Sequence, residues 1–236
     1  MLGFEIEKRT DFLALAAFII ALLGALYQVF GFLKGADVKL FSPPQVLMLS
    51  SANSAGEQVV QIHARMALVN SGEPGYHASV SSMNVRFQLG GKTYEQNWQL
   101  FQTYDNKQDV LVPHFVSDAR PFPIKAGSAD SHETLFAPHP IRCRDRDEIC
   151  NKWKNIIYFR DFLAAIEKLH ELAFTFTAEI FGESRVSITC VVDMDDDVRD
   201  NLIFNGWSAP ICWPVKKDVL GNFDSFGIAA YAGAVG

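Results

Sequence analysis

Apolar residues first run without interruption, then alternate with a period of two, and the change of pattern divides the chain. Residues 12–33 read FLALAAFIIALLGALYQVFGFL, 22 positions without a charge between Asp11 and Lys34. As a helix this stretch is about 33 Å long, enough to cross the roughly 30 Å hydrocarbon core of a bilayer. Thirteen of its residues are Leu, Ile, Val or Phe, so insertion is favourable by several kcal/mol despite Gln28. The run is longer than a cleaved leader's apolar core and no A-x-A-like site follows it, which predicts an uncleaved signal anchor. The expected organisation is a short cytoplasmic N-terminus (1–11), a transmembrane helix (12–33), a connector (34–44), a folded domain (45–218) and a Gly/Ala-rich tail (219–236).

Beyond the connector, whose Pro43 and Pro44 favour an extended exit, the period is mostly two. Residues 45–50 read as a first strand and 51–56 as a loop of small polar residues. Over 58–70, Val60, Ile62, Ala64, Met66 and Leu68 alternate with Gln61, His63 and Arg65, the signature of a strand with one buried face. Met83, Val85, Phe87 and Leu89 repeat it, and Gly90-Gly91 turns the chain into a second strand over 92–101. Residues 105–150 carry five prolines among short apolar pieces, which predicts short edge strands and long loops. Phe159, Phe162, Leu163, Ile166 and Leu169 recur at helical spacing. A hairpin follows, with strands over 172–180 and 186–192. Asn205-Gly206, between Phe204 and Trp207, carries the chemistry of a two-residue hairpin turn.

Seven or eight short, mostly antiparallel strands with one inserted helix predict a mainly β fold: an antiparallel β-sandwich behind a single N-terminal transmembrane helix. The layout resembles membrane-anchored immunoglobulin-like domains, although the Cys-Trp-Cys spacing of that family is missing.

Charge and cysteines place the domain. A net charge of −6 argues against nucleic acid as a partner. Cys143, Cys150, Cys190 and Cys212 form no C-x-x-C pair; of the three possible pairings, Cys143 with Cys150 and Cys190 with Cys212 are favoured, and two disulfides imply an oxidising compartment. No Asn-x-Ser/Thr acceptor occurs, which fits a periplasm better than a eukaryotic cell surface. Together these predict a single-pass protein of a bacterial inner membrane with its N-terminus in the cytoplasm and its main domain in the periplasm.

Motifs for chemistry are missing where they would be needed. Gly91-Lys92-Thr93 has Arg86 where a phosphate-binding loop needs its first glycine, His132-Glu133 has Phe136 where a zinc site needs its second histidine, and no G-x-S-x-G exists. Asp193, Asp195 and Asp197 could offer oxygens to calcium, but Val198 and Phe204 stand where such a loop needs glycine and a bidentate acid; a solvated strand end is the expected reading. No catalytic residue, metal or cofactor is expected.

Three groups remain as interaction candidates. In the helix, Ala17, Ala21 and Ala25 lie on one face and Gly24, Gln28 and Gly31 on an adjacent one, small residues that admit close approach of another helix and an amide that prefers a partner to lipid. Arg142, Arg144, Asp145 and Arg146 lie in a charged loop between two cysteines, a candidate recognition tip. Phe204, Trp207 and Trp213 form an aromatic group near Cys212, expected chiefly to fill the core beside the disulfide. The expectation is a non-enzymatic accessory subunit of a membrane protein complex, with integral membrane, lipid and periplasmic protein partners. The alternative is a stand-alone periplasmic ligand-binding or sensor domain with a pocket among loops 71–79, 102–120 and 142–150.

Overall fold

The computed structural model describes residues 10–53, 56–107, 110–138, 156–181 and 184–215, with backbone alone for 10–13, 28–34 and 184. Helix α1 (Thr10–Lys34) is followed by β1 (Val38–Phe41), β2 (Val46–Ala52), β3 (Gln58–Asn70), β4 (Ala78–Leu89) and β5 (Lys92–Lys107). Then come β6 (Val110–Asp118), β7 (Phe122–Ile124), β8 (Ser128–Ala137), α2 (Phe159–Ile166), β9 (Glu171–Ile180) and β10 (Ser184–Asp193). Helix α3 (Asp196–Asn205), β11 (Trp207–Ser208) and β12 (Cys212–Pro214) complete the described elements.

The strands form one antiparallel sheet in the order β11-β2-β3-β8-β5-β4-β9-β10-β12, with β1 beside β3, β6 beside β5 and β7 beside β4. The sheet curls into a β-sandwich-like body, and β5 turns the corner. Its first half pairs with β4 (Leu89↔Lys92 to Asn84↔Asn97), and from Asn97 to Phe101 it pairs with β8. The register shifts between Trp98 and Leu100, a bulge of the kind that bends a strand and strengthens its twist.

Alternation along each strand fills the space between the two halves. Val60, Ile62, Met66 and Leu68 of β3 and Phe136 of β8 face Val85 and Phe87 of β4 and Phe174 and Phe176 of β9, all buried in one cluster. The rings of Phe136 and Phe176 lie 5.9 Å apart across it. Polar side chains share this interior, and one of them, Gln96, fully buried, accepts from the Ile62 N–H at 3.1 Å and donates to the Val60 carbonyl at 2.8 Å. Its amide thus stands in for a neighbouring strand and satisfies backbone groups that would be costly to bury unpaired.

The strands at 58–70, 78–89, 92–107, 171–180 and 184–193 follow the alternation, and Gly90 and Gly91 take the positive φ values, 56° and 76°, of the expected turn. Cys190 and Cys212 form the expected disulfide, joining neighbouring strands β10 and β12 at a Cα separation of 5.4 Å. Cys143 and Cys150 lie outside the described residues.

Five expectations are corrected. The connector holds a strand, since β1 pairs with the end of β3 (Val38↔Asn70). Residues 128–137 are a ten-residue strand between β3 and β5 rather than an edge or a loop. Among its described residues the domain holds two helices where one was expected. The second is α3, so Asn205-Gly206 closes a helix: Gly206 has φ 74° and its N–H donates to the Leu202 carbonyl at 3.1 Å. The acidic run is therefore a helix start. Asp195 caps it, accepting from the Val198 N–H at 2.8 Å, Asp196 pairs with Arg199, and Asp197 lies in the first turn. Arg199 also donates to the Leu169 carbonyl at 2.7 Å, which ties α3 to the chain end of α2.

The junction with α1 is tightly bonded. Buried Asn70 accepts from the N–H groups of Asp37 and Gly72 and donates to the carbonyls of Tyr76 and Ile124. Ser71 donates to the Asp37 carboxylate at 2.6 Å, which holds that group's pKa below the usual carboxylate value. A side chain at Gly72 would meet Asn70 Oδ1 and the Gly35 carbonyl, each 2.9 Å away. Three residues, 35–37, therefore join helix to domain through a turn built to receive them.

Candidate functional site

Among the described residues no group of three or more His, Cys, Asp or Glu is placed to hold a metal ion. The feature that stands out is on the outer face of β2, β3 and β8. Inward side chains of β3 fill the core, and its outward Gln61 and His63 are nevertheless only 9% and 6% exposed. Strand β2 has the same property: Val46 and Met48 face inward, Leu47 and Leu49 outward, and all four are buried. A strand apolar on both faces is covered on both faces. Leu47, Leu49, Leu100 and Leu135 form this second, smaller cluster, with Tyr104, Leu111 and Trp207 packed against it.

The cover is incomplete, and what remains is a cleft of about 670 Å³. Its floor is Gln61, Leu49 and Leu135. One wall is the β5–β6 hairpin, which contributes Gln102, Tyr104 and Leu111; the other is delivered by the α3 cap, whose Gly206 leads directly into Trp207, paired with Leu49. Ser50 and Gln58 close one side, with the Ser50 hydroxyl donating to Gln58 Oε1 at 2.7 Å. No lining residue carries a charge.

Behind the floor, His63 is held neutral. Its Nε2 lies 2.7 Å from the Gln102 carbonyl and 3.6 Å from a Glu133 carboxylate oxygen, and the Tyr104 ring meets it edge-on at 4.9 Å. Burial lowers the His63 pKa, outweighing the opposing pull of Gln102 and Glu133. Burial likewise pushes the Tyr104 hydroxyl up to about 12, so at neutral pH it is a neutral donor and acceptor. Gln61 differs from these neighbours, because its amide makes no hydrogen bond with any described group.

The structure separates the sequence candidates. Trp207 belongs to the cleft wall, whereas Phe204 and Trp213 are 79% and 56% exposed on α3 and β12. The three do not fill the core beside the disulfide as expected; β11 and β12 carry the tryptophans to different partners, β2 and β10. Arg142, Arg144, Asp145 and Arg146 lie outside the described residues. Ala17, Ala21, Gly24 and Ala25 are exposed on α1, as are Leu15, Phe18, Ile20 and Leu23; the side chains of Gln28 and Gly31 lie outside the description. Among the described residues no helix is long and apolar enough to cross a membrane.

Of the three loops expected to frame a pocket, 71–79 lines none of this cleft, 142–150 lies outside the described residues, and 102–120, which contributes Gln102 to Pro113, is mostly the strands β5 and β6; Gln61, Leu49 and Leu135 were missed. The available signal was Val46-Leu47-Met48-Leu49, an unbroken apolar run too short for a helix, which marks a strand buried on both sides.

No protein-family model matches the chain, and no curated protein does. Among solved structures, the crystal structure of Spo0M, a sporulation control protein from Bacillus subtilis, aligns at 11% identity over 72% of this chain and 54% of that one, with a TM-score of 0.28. The match thus spans about half the length of that protein, and at this similarity neither its fold nor its role bears on the present chain.

Proposed function

We propose that the protein is a non-enzymatic accessory subunit of a membrane protein complex, anchored by one helix at a bacterial inner membrane, with its β domain in the periplasm. The observation that carries this reading is the surface of α1: Leu15, Phe18, Ile20, Leu23 and Tyr27 are 57–74% exposed. Such a surface is costly in water and stable in lipid or against another helix. The charge-free sequence of residues 12–33 supplies the length for a crossing, and Ala17, Ala21 and Ala25 supply a face that another helix can approach closely. Bonds around Asn70 keep the domain close to the helix end, so a partner seated on the helix also fixes where the domain sits. The Cys190–Cys212 disulfide fits an oxidising compartment. The β-sandwich-like body has, on this proposal, an immunoglobulin-like layout.

Purification of the full chain in mild detergent, followed by native mass measurement, tests this reading. Co-purifying membrane proteins are expected, and Ala21→Leu, which fills the small-residue face, should release them. A lone monomer, or partners retained by Ala21→Leu, would contradict docking through this face. A second reading, an anchored ligand-binding or sensor domain, is favoured by the cleft.

A further inference from the structure

We propose that the cleft on the outer face of β2, β3 and β8 is a binding site for a short neutral saccharide. The inference rests on the cleft alone and would give the anchored-binding reading its ligand class; it is independent of how α1 meets a membrane.

Gln61 carries most of the argument. Gln61 is nine-tenths buried and its amide is bonded to no described group, so its donor and acceptor stay available to whatever occupies the cleft. On the opposite face the chain engages such a group itself: Gln96, fully buried, satisfies both ends of its amide on β3. Gln61 lies one residue from Val60 and Ile62, the partners of Gln96, points to the opposite face, and opens into the cleft.

The rest of the lining selects the ligand. Gln58, Gln102 and Asn205 add three more amides, Ser50, Ser51 and Tyr104 three hydroxyls, and the lining contains no charge, in a chain whose net charge is −6. An amide presents a donor and an acceptor side by side, which suits adjacent hydroxyl groups on a sugar ring. Trp207 and Tyr104 flank the site with flat apolar faces, and Leu49 and Leu135 form the floor; C–H faces of a pyranose are apolar and pack on such surfaces. A volume of about 670 Å³ lies within the roughly 300–1,000 Å³ of small-molecule sites. Anionic and cationic ligands would enter without a counter-charge and lose their hydration.

An extended peptide is the rival occupant, and the floor disfavours it. Strand addition uses unpaired backbone groups, but the floor backbone is already engaged. Gln61 pairs with Leu49, Leu135 pairs with both His63 and Leu100, and Gln102 pairs with Phe115. The floor therefore offers side chains, and side-chain amides read hydroxyl groups as readily as they read peptide units.

The test is titration of the full chain in phosphatidylcholine nanodiscs, with no glycosidic detergent present, against maltotriose, cellotriose and triacetylchitotriose. Saturation-transfer NMR reports binding, and an uncharged Ala/Ser/Gly hexapeptide and trigalacturonate serve as comparison probes. At least one neutral trisaccharide should bind at millimolar concentration or better, and Gln61→Leu should weaken it by about tenfold. Trp207→Ala should weaken it too, and Ala21→Leu, remote from the cleft, should leave it unchanged. The proposal is overturned if none of the three sugars binds, if Gln61→Leu binds as tightly as the parent, or if the hexapeptide or trigalacturonate binds more tightly than every neutral sugar. Because Ala21→Leu reads the helix and Gln61→Leu the cleft, failure of either reading leaves the other intact.

Discussion

The two faces of the β2–β3–β8 layer are made by the same strands and are nearly equally dry, yet they are finished differently. On the inner face, Phe136, Ile62 and Met48 are fully buried against β4 and β9, and the buried amides of Gln96 and Asn70 have both ends bonded. On the outer face, four leucines gather under Tyr104, Leu111 and Trp207, and Gln61 is left without a described partner beside an open cleft. Burial alone therefore does not distinguish core from site. What marks the outer face is an amide that no described group engages and that opens into a cleft.

Truncation separates the two faces most strongly. Phe174→Ala removes a fully buried ring from the inner cluster and should cost about 4 kcal/mol in urea denaturation, whereas Leu49→Ala beside the cleft should cost about 2 kcal/mol, the lower end for buried leucine, because water already reaches the space vacated. If Leu49→Ala cost as much as Phe174→Ala, the outer face would be a second core.

Acid should act on the outer face next. The His63 pKa is lowered from 6.5 by burial, so the unfolded chain takes up that proton more readily than the folded one. Stability is unaffected by His63 well above pH 6.5, and falls as the pH drops below that value until the folded ring is protonated too. Urea midpoints at about pH 7.5 and about pH 5.5 should therefore differ more for the parent than for His63→Gln, which keeps a donor for the Gln102 carbonyl. Equal differences would show that His63 titrates as it does in the unfolded chain.

These contrasts also mark what the sequence conveyed. Period-two alternation placed β3 to its ends, the Gly90-Gly91 turn placed the hairpin after β4, and the disulfide at Cys190 and Cys212 was anticipated. Helix α3 was missed because only Val198 and Leu202 of its ten residues are buried, too few to show a helical period, and because Asn-Gly serves a hairpin turn and a helix cap equally well. Strand β8 was obscured by flanking prolines and by polar residues such as half-buried Asp130 and exposed Ser131. The cleft was hardest to foresee. Its lining runs from Leu49 to Trp207 across β2, β3, β5, β6, β8 and β11, and only the curl of the sheet brings these residues together.

The central claim is that the outer face encloses an amide the fold does not use, and the stability of Gln61→Leu tests it most directly. Leucine is close in size and needs no partner, so denaturation without ligand should show the variant as stable as the parent or slightly more so. A loss above about 1 kcal/mol, the typical worth of a hydrogen bond, would mean that the Gln61 amide is bonded within the fold and that the outer face is structural.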